Sequence, residues 1–274
     1  MLELNKIYCM DCLEGMKLID SNSIDLVVTS PPYDNLRDYT GELDWDFEIF
    51  KPIANELYRI TKDGGIIVWI VGDATINGSE SGSSFKQALY FKEIGFNLHD
   101  TMIFKKHNFV NPSSNRYHQI FEYMFIFTKC LKFNNKFTFN PIKDIINHYK
   151  YKTCLGKNTH RSKTGELIEG KKKEIGFFGM RNNIWEYKVG HQLGKKDDII
   201  FKHPATFPLD LAKDNILSWS NKDDIVLDCF MGSGTTAVAC KELQRNFIGF
   251  EISKEYCDIA EQRLEKWKGQ QRLI

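Results

Sequence analysis

Short apolar runs rich in β-branched residues alternate along this chain with stretches in which apolar residues recur every three to four positions. Ile24-Asp25-Leu26-Val27-Val28, Ile66 to Val71, Asp224-Ile225-Val226-Leu227-Asp228 and Asn246-Phe247-Ile248-Gly249-Phe250 have the length and composition of buried strands. Ile7 to Cys12 reads as a further short strand ending in an acidic residue, and 98–104 and 121–128 have strand composition. Helical spacing runs from Leu13 to Ile19, through Phe47, Phe50, Ile53, Ala54, Leu57 and Ile60, and from Phe85 to Ile94. It returns at Leu209, Leu211, Ala212, Ile216 and Leu217, from Ala237 to Leu243, and at Tyr256, Ile259, Ala260 and Leu264. Lys62-Asp63-Gly64-Gly65 is expected to end the helix that starts at Phe47. Gly72 to Ser84 reads as a loop, and so does 105–118, where Lys105, Lys106 and Arg116 mix with amides and aromatics as a phosphate- or base-contacting segment would. His107 and His118 there are candidate general bases.

Two junctions stand out. The first strand stops at Ser30-Pro31-Pro32-Tyr33, where two locked φ angles and two missing N–H groups make a stiff shelf of carbonyls beside an aromatic ring. Acceptors next to a stacking ring suit an amino group on a flat base; a Pro-Pro turn with a packed Tyr is the plain structural alternative. The run ending at Asp228 passes into Cys229-Phe230-Met231-Gly232-Ser233-Gly234-Thr235-Thr236 and then a helix, a turn at which a cofactor can approach backbone and free helix N–H groups. Glu251 ends the following strand, about twenty residues on, where a carboxylate accepts from a ribose.

Ser-Pro-Pro-Tyr together with Asp-x-Phe-x-Gly-Ser-Gly-Thr-Thr resembles the amino-group DNA methyltransferases, and the order of the two motifs resembles the permuted β-type arrangement of that family. The likeness covers about residues 1–130 and 203–274. It implies an α/β fold of the S-adenosylmethionine-dependent, Rossmann-like kind: a mostly parallel sheet with helices on both faces, circularly permuted. It also implies methyl transfer from S-adenosylmethionine to an exocyclic nitrogen of a flipped base, with Ser30, Pro31, Pro32 and Tyr33 catalytic. Asp228, Phe230, Gly232, Gly234, Thr235 and Glu251 would hold the cofactor, joined by Asp11 and by the His203-Pro204 pair. Asp11 serves equally well as the N-cap of the helix after it. Ser30, a neutral hydroxyl where the adenine enzymes commonly carry Asp, favours N4 of cytosine over N6 of adenine. Carbon-5 methylation would need a Pro-Cys pair, which is absent.

The net charge of +1 hides an asymmetry: residues 131–202 hold 16 Lys+Arg against 7 Asp+Glu, net +9, and the remainder is −8. With the resemblance, this segment is expected to be an inserted target-recognition region facing double-stranded DNA, with Lys171, Lys172, Lys173 and Arg181 beside Arg37 as phosphate contacts. A solvated face is the alternative. The resemblance also admits a restriction endonuclease of the same site and a homodimer as partners, and no membrane. Seven cysteines, with no long apolar span, fit reduced thiols in a cytoplasmic protein. Cys9-x-x-Cys12 lacks a second pair at metal-ligand spacing, so two small buried residues compete with a zinc site.

Gly232-x-Gly234-x-x-Ala237 also fits a nicotinamide fingerprint, which leaves an oxidoreductase open, as does a non-catalytic DNA-binding module. After Glu251 only one helix remains, so the rest of the sheet has to come from the N-terminal part. Ser30 and Gly232 are then expected on neighbouring strands at one edge.

Overall fold

Parallel strands buried on both faces read as unbroken apolar runs, and the runs singled out above pair in that way. In the computed structural model, which describes residues 2–33, 45–108, 114–129, 136–147, 159–169, 176–189 and 208–271, the N-terminal half forms β1 (Lys6–Cys9), α1 (Cys12–Lys17), β2 (Ile24–Thr29), α2 (Phe47–Ile60) and β3 (Thr61–Val71). There follow β4 (Thr75–Ile76), β5 (Ser79–Glu80), α3 (Ser83–Glu93), β6 (Asn97–Lys106) and β7 (Phe121–Thr128). Short strands β8 (Lys143–Ile146), β9 (Thr159–Arg161), β10 (Leu167–Glu169), β11 (Phe178–Met180) and β12 (Ile184–Tyr187) lead to α4 (Leu209–Trp219), β13 (Ile225–Asp228), α5 (Thr235–Glu242), β14 (Asn246–Glu251) and α6 (Lys254–Gln271).

Eight strands make one sheet in the order β1-β14-β13-β2-β3-β7-β6-β12. All neighbours are parallel except β7, which runs antiparallel to both β3 and β6. Helices α1, α2 and α3 touch in succession, as do α4, α5 and α6, giving two helical layers. The predicted stripe of α2 is the buried one: Phe50, Ala54, Leu57 and Ile60 are fully buried, against a core that includes Trp69, Phe91 and Phe127. Asp46 caps that helix by accepting from the Ile49 N–H at 2.8 Å. Trp69 keeps its polar end satisfied by donating Nε1–H to the buried Gln87 at 2.8 Å.

Three expectations are corrected. Lys62 to Gly65 do not close α2 with a turn; they bulge within β3, because Ile24 pairs with Thr61 while Leu26 pairs with Ile66. Gly64 takes φ +81° to make that bulge, and its N–H donates to the Lys129 carbonyl at 2.6 Å. The glycines mark a strand irregularity that composition alone cannot tell from a helix stop. Second, Lys105 and Lys106 lie in β6 rather than in a loop, carried into the ladder by pairing with β7 and β12. Third, the stretch from Gly72 to Ser84 contains a two-strand hairpin turning at Asn77-Gly78, both at positive φ, and α3 already begins at Ser83. Asn-Gly is a strong hairpin signal.

The compact unit separate from the main body spans Pro141–Asn182, while β12 is the edge strand of the main sheet. Within that unit β8 pairs with β11 and β9 with β10, each antiparallel. No helix among the described residues is long and apolar enough to cross a membrane.

Candidate active site

Strand register brings the two junctions together. Val226 pairs with Leu26 and Leu227 with Val27, so β2 and β13 end side by side and deliver Ser30 and the glycine turn to one edge, as expected from the chain order. Carboxyl ends of parallel strands are where open α/β sheets bind ligands.

Asp228 fastens that edge. Its Oδ1 accepts from Thr29 Oγ1 at 2.7 Å and from the Phe230 N–H at 3.1 Å, and its Oδ2 accepts from Thr236 Oγ1 at 2.6 Å. The carboxyl is buried, and burial pushes its pKa up to about 6 against the pull of those three bonds. The native protein thus holds this proton more tightly than the unfolded chain, whose aspartates titrate near 3.9. Asp228 contributes stability that is complete below about pH 4 and lost as pH rises through about 6. Melting wild type and Asp228→Asn side by side from pH 4 to 7.5 should show wild type losing stability relative to the variant over that window. A difference independent of pH would refute it.

The glycine turn is held from three sides. Gly232, at φ +52°, donates its N–H to Glu251 Oε2 at 2.8 Å, and Glu251 Oε1 accepts from the Ser253 N–H at 2.8 Å. Burial raises the Glu251 pKa while these backbone bonds oppose the rise. The buried Arg263, from α6, donates to the Ser233 carbonyl at 2.5 Å and to Thr235 Oγ1 at 3.2 Å. Phe230 meets Trp45 edge-on with centroids 5.3 Å apart. Cys9 pairs with Glu251 across β1 and β14, which sets Asp11 at the same edge. There Asp11 Oδ1 accepts from the Glu14 N–H at 3.1 Å, the capping bond.

On the other side of the edge, Tyr33 Oη lies 2.9 Å from Ser30 Oγ and 2.8 Å from Glu122 Oε2. Gly72 backs the Tyr33 ring: a Cβ there would lie 3.5 Å from Cε2. Pro31 is buried and Pro32 half-buried.

Ser30 to Tyr33, Asp11, Phe230, Gly232, Gly234 and Glu251 therefore gather at one strand edge. Asp228 and Thr235 are buried at the same edge, and their side chains take part in holding the turn. The cations expected at DNA are engaged within the protein: Lys105 with Glu186 at 2.8 Å, Lys106 with Glu122 at 2.5 Å, Arg181 with Asp144 at 2.5 Å. Arg116 donates to the Gly78 carbonyl at 2.8 Å, and His107 Nδ1 lies 3.1 Å from Glu186. Cys12 is buried while Cys9 is exposed. Arg37, Lys171, Lys172, Lys173, His203 and Pro204 lie outside the described residues. Glu122, Arg263 and Trp45 were not foreseen; each reaches the site from a distant part of the chain, and no local pattern marks them.

A family model described as N6/N4 DNA methylase matches residues 24–262. The chain belongs to that family. This methylase is 53% identical over 246 residues to the orphan methyltransferase M.BamHII of Bacillus amyloliquefaciens, covering 89% of this chain and 90% of that protein. Its fold matches the cytosine-N4-specific PvuII DNA methyltransferase with a TM-score of 0.69 at 21% identity, over 96% of this chain and 90% of that one. A complex of M1.HpyAVI with SAM matches the methylase with a TM-score of 0.59 at 25% identity, over 94% and 98% of the two chains.

Proposed function

We propose that this methylase transfers a methyl group from S-adenosylmethionine to the exocyclic N4 of a cytosine flipped out of double-stranded DNA. The observation that carries the choice of base is the neutral Ser30 hydroxyl at the head of the shelf, set 2.9 Å from the Tyr33 phenol. Bound S-adenosylmethionine supplies an electrophilic methyl on a sulfonium. The residues present suit that cofactor. Glu251 uses one bond per oxygen on Gly232 and Ser253 and has further lone pairs for ribose hydroxyls. The N-terminus of α5 follows the glycine turn, and the half-buried Phe230 offers an apolar wall.

A base inside the duplex cannot present its amino group, so the nucleotide is extruded at a cost of a few kcal/mol. The Tyr33 ring, held at its hydroxyl end, stacks on it. Ser30 Oγ and the Pro31 carbonyl accept hydrogen bonds from the two amino N–H groups, hold the nitrogen in line with the methyl and draw electron density toward it; the N–C bond would form as the S–C bond breaks, S-adenosylhomocysteine would leave, and the nitrogen would lose one proton to water. The basic stretch 131–202, with the compact unit Pro141–Asn182 at its centre, supports a role in reading the DNA.

Incubating the purified protein with unmodified genomic DNA and S-adenosylmethionine, then digesting to nucleosides for mass spectrometry, should yield N4-methyldeoxycytidine. N6-methyldeoxyadenosine alone would overturn the assignment drawn from Ser30 and leave the methylase activity standing.

A further inference from the structure

Glu122 stands behind the Ser30–Tyr33 pair and has no part in the roles above. It is only 8% exposed and opens β7, whose antiparallel course returns it to the edge where β3 leaves. Its oxygens face different partners: Lys106 Nζ lies 2.5 Å from Oε1, and Tyr33 Oη lies 2.8 Å from Oε2.

A carboxylate paired with an ammonium accepts hydrogen bonds and donates none. The Tyr33 proton is thereby directed at Glu122. Between Tyr33 Oη and Ser30 Oγ either oxygen could donate on geometry alone. The Ile70 carbonyl, at 3.5 Å, is a far weaker acceptor for the phenolic proton than the Glu122 oxygen at 2.8 Å, so the proton goes to Glu122 and Ser30 is the donor. Its proton points at Tyr33, and its lone pairs are left for a ligand. Lone pairs are what an amino N–H needs. A hydroxyl free to rotate would for part of the time offer its proton to the nitrogen and compete for the electron pair that attacks the methyl.

We propose that Glu122 is a positioning residue for methyl transfer: through Tyr33 Oη it orients the Ser30 hydroxyl so that Oγ accepts from the target amino group. This rests on the assignment of Ser30 as the amino-group acceptor. Lys106 serves the same chain by fixing the Glu122 carboxylate in place through Oε1.

The test is a double-mutant cycle of Tyr33→Phe and Glu122→Gln. Tyr33→Phe removes the link and keeps the ring; Glu122→Gln replaces an acceptor with a group that can also donate, so the chain loses its direction. Each single variant should lower kcat roughly tenfold, the scale of one hydrogen bond to a charged group. KM for DNA and cofactor affinity should stay near wild type. The double variant should be no slower than the slower single one, because both changes break the same chain. Effects that multiply would overturn the proposal, as would a Glu122→Gln that loses melting temperature but keeps its kcat. Ser30→Ala separates the two readings. Full kcat in that variant removes the acceptor assignment and the positioning role together, whereas lost activity alongside a multiplicative cycle removes Glu122 alone.

Discussion

Tyr33→Ala is expected to slow methyl transfer by roughly 30- to 1,000-fold while S-adenosylmethionine binding survives. Two losses add. Base–aromatic stacking is worth about 1–3 kcal/mol, and the hydroxyl's hydrogen bonds to Ser30 and Glu122 contribute about 1 kcal/mol more. At about 1.4 kcal/mol per factor of ten, their sum gives the stated range. Cofactor affinity should hold because Tyr33 sits at the end of β2 beside β3 and β7, while the glycine turn and Glu251 follow β13 and β14. Single-turnover kinetics on DNA and calorimetry with S-adenosylmethionine would check the two halves. Full activity in the variant would remove Tyr33 from the site.

Gly234→Val should weaken cofactor binding at least tenfold and destabilise the protein by about 2–5 kcal/mol. Gly234 sits at φ +82° at the start of α5, a conformation that a β-branched residue adopts only under strain. A Cβ there would also stand 2.8 Å from the Ala260 Cβ on α6, which belongs to a helix and cannot rotate away. The energy range joins about 1–2 kcal/mol for the left-handed backbone to about 1–3 for overpacking. Either α5 or α6 has to shift, and the shift passes into the turn that Arg263 and Glu251 hold. Thermal unfolding together with calorimetry would measure both effects. A variant that melts and binds like wild type would show that this conformation is not required.

Local pattern by itself determined the elements that frame the site. The apolar stripe of α2, the strand that halts at two prolines and the glycine turn opening a helix all depend on neighbours a few positions away, which is the range over which periodicity and turn chemistry act. The side-by-side placement of Ser30 and Gly232 is fixed by the register of β2 on β13. Tertiary structure alone decided what each polar group does once there. Asp228 meets Thr29 from 199 positions away, and Tyr33 meets Glu122 from 89. Whether a lysine waits for a phosphate or pairs with a carboxylate, as Lys105 and Lys106 do, depends on which strand lies opposite. Sheet register is a property of the whole chain, and a difference of one residue in it turns every side chain of a strand to the other face.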